Sequence, residues 1–275
     1  MAGRGGHGPL RLTQRSLGNA GKRHTARIAV AVTTRRRERE KQMERHFEVE
    51  LQALRSRLLT MGSLAETMIH QAIKALVDRD QALVQAVLAH EEEIDLLCIE
   101  IDDRCFTQIA LHQPMASDLR FLVAGIKINS DLERIGDQAV SIALRARSLI
   151  AQPQLKPLID IPRMADLVQW MVRKSLDAFV QQDPELARTV IDGDDEVDAL
   201  RDQVFRELLT YMMGDPTTVP RALDLILVSR NLERIADHAT NIAEDVIYIV
   251  RGEDVRERGD KELRKGLRLP SQKNS

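Results

Sequence analysis

One twelve-residue stretch of this chain occurs twice, and that duplication limits what the chain can fold into more than any other feature. Residues 132–143 read LERIGDQAVSIA and residues 232–243 read LERIADHATNIA, with eight of the twelve positions identical at an offset of 100. Upstream the echo continues at an offset of 103, where Met61, Met68, Ala75, Asp80, Glu93, Asp95 and Leu97 meet Met164, Met171, Ala178, Asp183, Glu196, Asp198 and Leu200. The change of offset makes the second copy three residues shorter before its last helix. A fold built from two similar units follows, because an internal repeat of this length is one supersecondary unit used twice.

The apolar residues of both copies recur at helical rather than strand spacing. Aromatic residues make up only 3% of the chain, so Leu, Ala, Val, Ile and Met must supply the core. That bias suits helices packed on helices better than a sheet. The expected fold is all-α, two tandem three-helix bundles. Helices are expected over about 46–78, 91–112, 117–150, 163–182, 184–213 and 218–251. Asp80 and Asp183 read as N-caps, Asp80 for a short helix of its own and Asp183 with Pro184 in the first turn behind it. The cluster Pro153, Pro157 and Pro162 reads as the linker, and Gly214, Pro216 and Pro220 mark the last break.

Four segments result. Residues 1–42 read as a disordered, basic N-terminal extension, 43–152 as the first repeat, 153–252 as the second and 253–275 as a C-terminal tail. The abrupt onset of helical spacing after Met43 makes that residue the expected start of the native chain. Charge divides along the same lines. Residues 1–45 carry twelve Lys/Arg against three acids, whereas 46–250 balance at −14. An acidic body repels nucleic acid and anionic membranes and attracts cations. Cys98 and Cys105 are seven apart in one expected helix, ~10 Å along its axis, too far for a mutual disulfide. They read as packing residues of a reduced, cytoplasmic protein.

The duplicated helix carries a duplicated carboxylate pair. Leu132, Ile135, Ala139, Ile142 and Ala143 form its apolar stripe, with the same residue types 100 positions later. Glu133 and Asp137, like Glu233 and Asp237, lie four apart on a neighbouring stripe, so both carboxylates of a pair face one spot. Like charges at that spacing repel, and a cation or a neighbouring base must offset the repulsion. The plain alternative is a solvated face screened by Arg134 and Arg234. Carboxylates are hard oxygen donors, suited to Mg, Mn, Ca or Fe, with Zn also admitted. Two are too few for a closed site, so Asn129 and Asn241, one turn away, are possible further ligands. Asp118 lies ~22 Å along the helix from Glu133 and cannot share its ion. The acids 91–93 with Asp95, and 194–196 with Asp198, are weaker candidates because a helix N-terminus already favours them. His238 has no counterpart, Gln138 standing in its place, and reads as a surface residue. No phosphate loop, nucleophile elbow or Glu-x-x-His di-iron signature occurs, so no catalytic residues are assigned.

These motifs resemble one family. HFEVELQALRSRLLTMG, then QPMASDLRFL at 113–122, SDLERIGD at 130–137 and RNLERIADHATNIAEDVIYIVRGED at 230–254 are similar to the PhoU proteins, bacterial regulators of phosphate uptake. The resemblance implies a cytoplasmic, non-enzymatic negative regulator and homodimer. It would act between the ATPase subunit of a phosphate ABC transporter and a phosphate-sensing histidine kinase, touching membranes only through partners. It also implies metal at Glu133 and Asp137 and at Glu233 and Asp237, and it places Asp118, Arg120, Arg134 and Arg234 as partner contacts. The rival readings are a metal-dependent phosphohydrolase and a structural bundle without a signalling role.

Overall fold

The computed structural model describes residues 14–252, with side chains from residue 41 onward except residue 44. Seven α-helices account for nearly all of it: α1 Gln14–Asp78, α2 Gln81–His112, α3 Ala116–Ile150, α4 Asp160–Gln181, α5 Pro184–Asp192, α6 Asp194–Gly214 and α7 Val219–Arg251. A 3-10 turn at Pro216–Thr218 precedes α7. The described residues contain no strand. The expected all-α architecture with two three-helix repeats is therefore the observed one.

Three boundaries differ from expectation. Residues 14–42 are helical rather than disordered, since α1 begins at Gln14. Arg, Glu, Lys, Gln and Ala dominate the later part of that stretch, and all five have high helix propensity. Residues 1–13 and the 253–275 tail lie outside the described residues. The short helix expected after Asp80 runs unbroken into the next, giving α2, whereas the single helix expected over 184–213 is broken at Gly193 into α5 and α6. Gly193 is the cause: glycine is costly inside a helix, and the acids Asp194, Asp195 and Glu196 just after it favour a fresh N-terminus. At the matching place α2 carries His90, which lets the helix continue.

The turns into α2 and α5 are built alike. Arg79 and Gln182 both take left-handed backbone, with φ of 57° and 52°. Asp80 and Asp183 follow as caps, accepting from Ala82 N–H and from the Glu185 and Leu186 N–H groups. Left-handed backbone costs a non-glycine residue roughly 1 kcal/mol. Arg79 gains a role from it, because its guanidinium donates to the Ile150 and Gln152 carbonyls where the linker begins.

From Gln52 onward the repeats form one unit rather than two separate bodies. α7 packs on α3, α4, α5 and α6, and α3 also packs on α2. The two helices bearing the repeated motif are thus inner elements. Leu132, Ile135, Ala139, Ile142, Ala143 and all five of their partners are fully buried. Phe121 and Phe179 stack at 5.5 Å between centroids, joining α3 to α4, and the Arg55 guanidinium lies 5.0 Å over Phe121. Close approach of α2 to α3 depends on Gly136, where a Cβ would meet Ile94 Cδ1 at 2.8 Å.

Candidate functional site: two carboxylate faces

Polar contacts set the register of the inner helices. Lys127 reaches Asp245 at 3.3 Å, while His238 Nδ1 and Asn241 Nδ2 meet Asp131 Oδ1 at 2.9 and 3.4 Å. Nearer the other end of α3, Arg145 and Ser148 contact Asp224. Residue numbers rise on α3 as they fall on α7, so the helices are antiparallel and their acid pairs lie at one level. His238 marks the level, since its charge bears on both Glu133 and Asp237.

The first face joins α3 to α2. Glu133 is half-buried and Asp137 exposed, on the stripe beside the buried one. Burial raises the Glu133 carboxyl above its ordinary range, and Asp137 and Asp95 add their repulsion, while Arg134 and His238 act against it. Partial burial raises Asp137 too, with Asp95 as the second cause. Below them, Asn129 donates from Nδ2 to the Cys98 carbonyl (2.8 Å), Asp102 Oδ1 (2.9 Å) and Cys98 Sγ (3.4 Å). Its Oδ1 is buried without a hydrogen-bond partner. The Cys98 thiol is pushed up by burial and then by Asp102.

The second face joins α7 to α6 and includes a cation. Arg201 Nη1 lies 2.7 Å from Glu233 Oε1 and 2.8 Å from Asp198 Oδ1, and its Nη2 lies 3.0 Å from Asp202 Oδ1. Burial and Glu233 raise Asp237. Burial, then Asp237 and Asp198, push Asp194 up to about 6. Carboxyls raised in this way mark a place where negative charges crowd together under partial burial.

The sequence-expected residues fall unequally on these faces. Each acid pair does sit together on its helix. Asn129 lies beneath the first face, whereas Asn241 turns to Asp131 on the opposite helix. Arg134 and Arg234 are exposed. Asp118 and Arg120 are half-buried near the start of α3, and Arg120 Nε lacks a hydrogen-bond partner. His238 is not a surface residue: its side chain is 15% exposed and held by Asp131, a partner no spacing within α7 reveals. The acids 91–93 and Asp95 do not open a helix as expected, because α2 already begins at Gln81, and only Asp194, Asp195 and Glu196 stand in a first turn. Asp95, Asp194 and Asp198 lie beside the acid pairs of the faces. Their signal was present, since Asp95 and Asp198 repeat at the offset of 103. Arg201 carried no signal, having no basic counterpart in the first copy. Among the described residues, no three His, Cys, Asp or Glu side chains converge as a ready-made ligand set. No helix among them is long and apolar enough to cross a membrane.

Known proteins place this architecture. The family model described as the PhoU domain matches residues 58–146 and again 161–246, each match ending just beyond an acid pair. The chain is 42% identical to a phosphate-specific transport system accessory protein PhoU homolog of Pseudomonas putida, over 80% of this chain and 87% of the relative. A protein of the same name from Aquifex aeolicus is 44% identical, over 78% of this chain and 96% of the relative. The crystal structure of PhoU from Pseudomonas aeruginosa superposes with a TM-score of 0.74 at 43% identity, covering 75% of this chain and all of that one. The phosphate transport system regulatory protein PhoU from Streptococcus pneumoniae superposes at 0.70 with 27% identity, over 76% and 99%. With its motif helices paired in the interior and both halves matched, the chain belongs to the PhoU family.

Proposed function

We propose that this chain is a cytoplasmic, non-enzymatic negative regulator of phosphate uptake that works by contact. Its relatives are named as accessory and regulatory proteins of phosphate transport. The observation that carries the reading is the pairing of α3 with α7, which presents two acidic faces at one level of a rigid helical body. Rigid, charged, partly exposed surfaces suit an adaptor, because electrostatic complementarity sets partner choice and encounter rate. The partners are the ATPase subunit of the phosphate ABC transporter and a phosphate-sensing histidine kinase. A second copy of the chain is the remaining partner. Arg134 and Arg234, exposed beside the acids, and Asp118 and Arg120 at the start of α3 are the contact residues.

A divalent or trivalent cation belongs to the same reading. Its support is the chemistry of the donors: burial, Asp137 and Asp95 raise Glu133, and burial and Asp95 raise Asp137, one turn along α3 from a buried Asn129 whose Oδ1 has no hydrogen-bond partner. Glu233 and Asp237 are the corresponding donors on α7. Bound there, the ion would supply positive charge to an acidic surface and so alter which partner surface it fits.

The test is deletion of the gene and measurement of a phosphate-starvation reporter in phosphate-rich medium. Constitutive expression, reversed by the wild-type gene, is the expected result. A reporter that stays silent would defeat the regulator reading.

A further inference from the structure

We propose that the outer face of α2, in the first repeat, is the docking surface for a basic amphipathic helix of a partner protein. This rests on the contact-regulator reading above and names the surface that makes the contact.

Spacing and burial together define the face. Ile94, Leu97, Ile101 and Cys105 turn inward and are buried. Leu96, Ile99 and Phe106 lie on the other side of the same helix, at i, i+3 and i+10, and are 63%, 67% and 59% exposed. They run along roughly 15 Å of helix. Large apolar side chains grouped on one exposed face mark a contact surface. Anchors at helical spacing are the means by which one amphipathic helix lies along another.

Charge selects the occupant. Glu92, Asp95 and Asp103 stand exposed among the three apolar residues, and among the described residues they enter no ion pair. α2 holds one Arg and no Lys, and that residue, Arg104, is turned to Glu100 at 2.9 Å. An anionic lipid surface is repelled by such carboxylates. A second copy bringing the same face would set acids against acids, which like-charge repulsion disfavours. A helix whose apolar stripe is edged by Lys and Arg satisfies both features. It buries Leu96, Ile99 and Phe106 while its cations meet Glu92, Asp95 and Asp103.

The second repeat supplies the substitutions that remove the face. At the offset of 103, Ala199, Asp202 and Leu209 take the places of Leu96, Ile99 and Phe106, and Arg206 takes that of Asp103. The corresponding helix α6 forms with those residues, so a change of this surface need not change the fold.

The experiment titrates the full chain into a fluorescein-labelled helical peptide of Leu and Lys, apolar on one side and basic on the other, read by fluorescence anisotropy. Wild type is expected to bind the peptide, and more weakly as salt rises. Leu96→Ala with Ile99→Asp, which copies the second repeat, should weaken binding about tenfold or more. Glu92→Gln with Asp103→Asn should weaken it less and flatten the salt dependence. Phe205→Ala, at an exposed position of α6, should leave the affinity unchanged. Phe106→Ala serves if the first double variant loses its helical circular dichroism. No binding by wild type, or equal weakening by Phe205→Ala, would overturn the proposal. So would a wild-type dimer that the Leu96 and Ile99 changes dissociate, or flotation with phosphatidylglycerol vesicles that they abolish. In the deletion strain the same double variant should fail to restore repression of the phosphate-starvation reporter. Repression equal to that of wild type would overturn the docking face and leave the regulator reading standing. A wild-type gene that restores none would overturn the regulator reading itself.

Discussion

Set side by side, the two repeats have kept their apolar positions and let their charges and backbone breaks diverge. Ile135 and Ile235, Ala139 and Ala239, and Leu132 and Leu232 are all fully buried. Around them Cys98 has become Arg201, Gln138 has become His238, and His90 has become Gly193 with a broken helix. One interior position changed in a compensated way. The first copy opposes Ile94 to Gly136, while the second holds Val197 and Ala236 at the matching places, all four buried. A methyl group has in effect crossed from one helix to the other at constant total volume. Packing tolerates only volume-conserving change, whereas partly exposed charge can be redistributed at little cost.

The largest expected effect tests the symmetric half of this comparison. Ile135→Ala and Ile235→Ala should each destabilise by about 3 kcal/mol, because each empties a fully buried site. Denaturant unfolding should give values within about 0.5 kcal/mol of one another, the scatter expected of equivalent independent sites. A gap above about 1 kcal/mol would mean that the two cores are not equivalent.

A smaller effect tests the compensated pair. Gly136→Ala brings a Cβ to 2.8 Å from Ile94 Cδ1, and overpacking of this kind costs about 1 kcal/mol after the gain in helix propensity. Ile94→Val removes that Cδ1 atom and reproduces the second repeat's pairing. The double variant should therefore recover most of the loss. A purely additive pair in a double-mutant cycle would show that the two residues do not share the space.

The smallest effect belongs to the charges. Asp194, raised to about 6 by burial and by Asp237 and Asp198, binds its proton more tightly folded than unfolded, where the ordinary value is 3.8. Its contribution to stability is therefore greatest below pH ~4, falls as pH rises toward 6, and stays as a constant penalty above that. Asp194→Asn should stabilise the protein by on the order of 1 kcal/mol at neutral pH, discounted for solvent screening at a half-exposed site. It should also flatten the decline in melting temperature between pH 4 and 6. A variant with an unchanged pH profile would show that the carboxylates of α6 and α7 do not repel one another.

Much of this was readable from spacing alone. The apolar stripe at Leu132, Ile135 and Ala139 and the caps at Asp80 and Asp183 depend on neighbours within four residues, which a linear sequence displays. The acid pairs were readable for the same reason. Asn241 and His238 were not, because each is claimed by Asp131, more than a hundred residues away on an antiparallel helix. Asp95 and Asp198 were undervalued because they were read as helix-start charges. Asp95 lies inside α2 and Asp198 past the first turn of α6, and their place beside the acid pairs arises only when α2 meets α3 and α6 meets α7.

By itself, then, the amino-acid sequence determined the helices, their buried stripes, the duplication and the carboxylate spacing, since all of these follow from short-range steric and hydrophobic periodicity. Which charges meet across two helices was decided by tertiary structure alone. An ion pair such as Arg201 with Glu233 is a matter of a few ångströms across a helix interface, and no periodicity along one chain carries that distance.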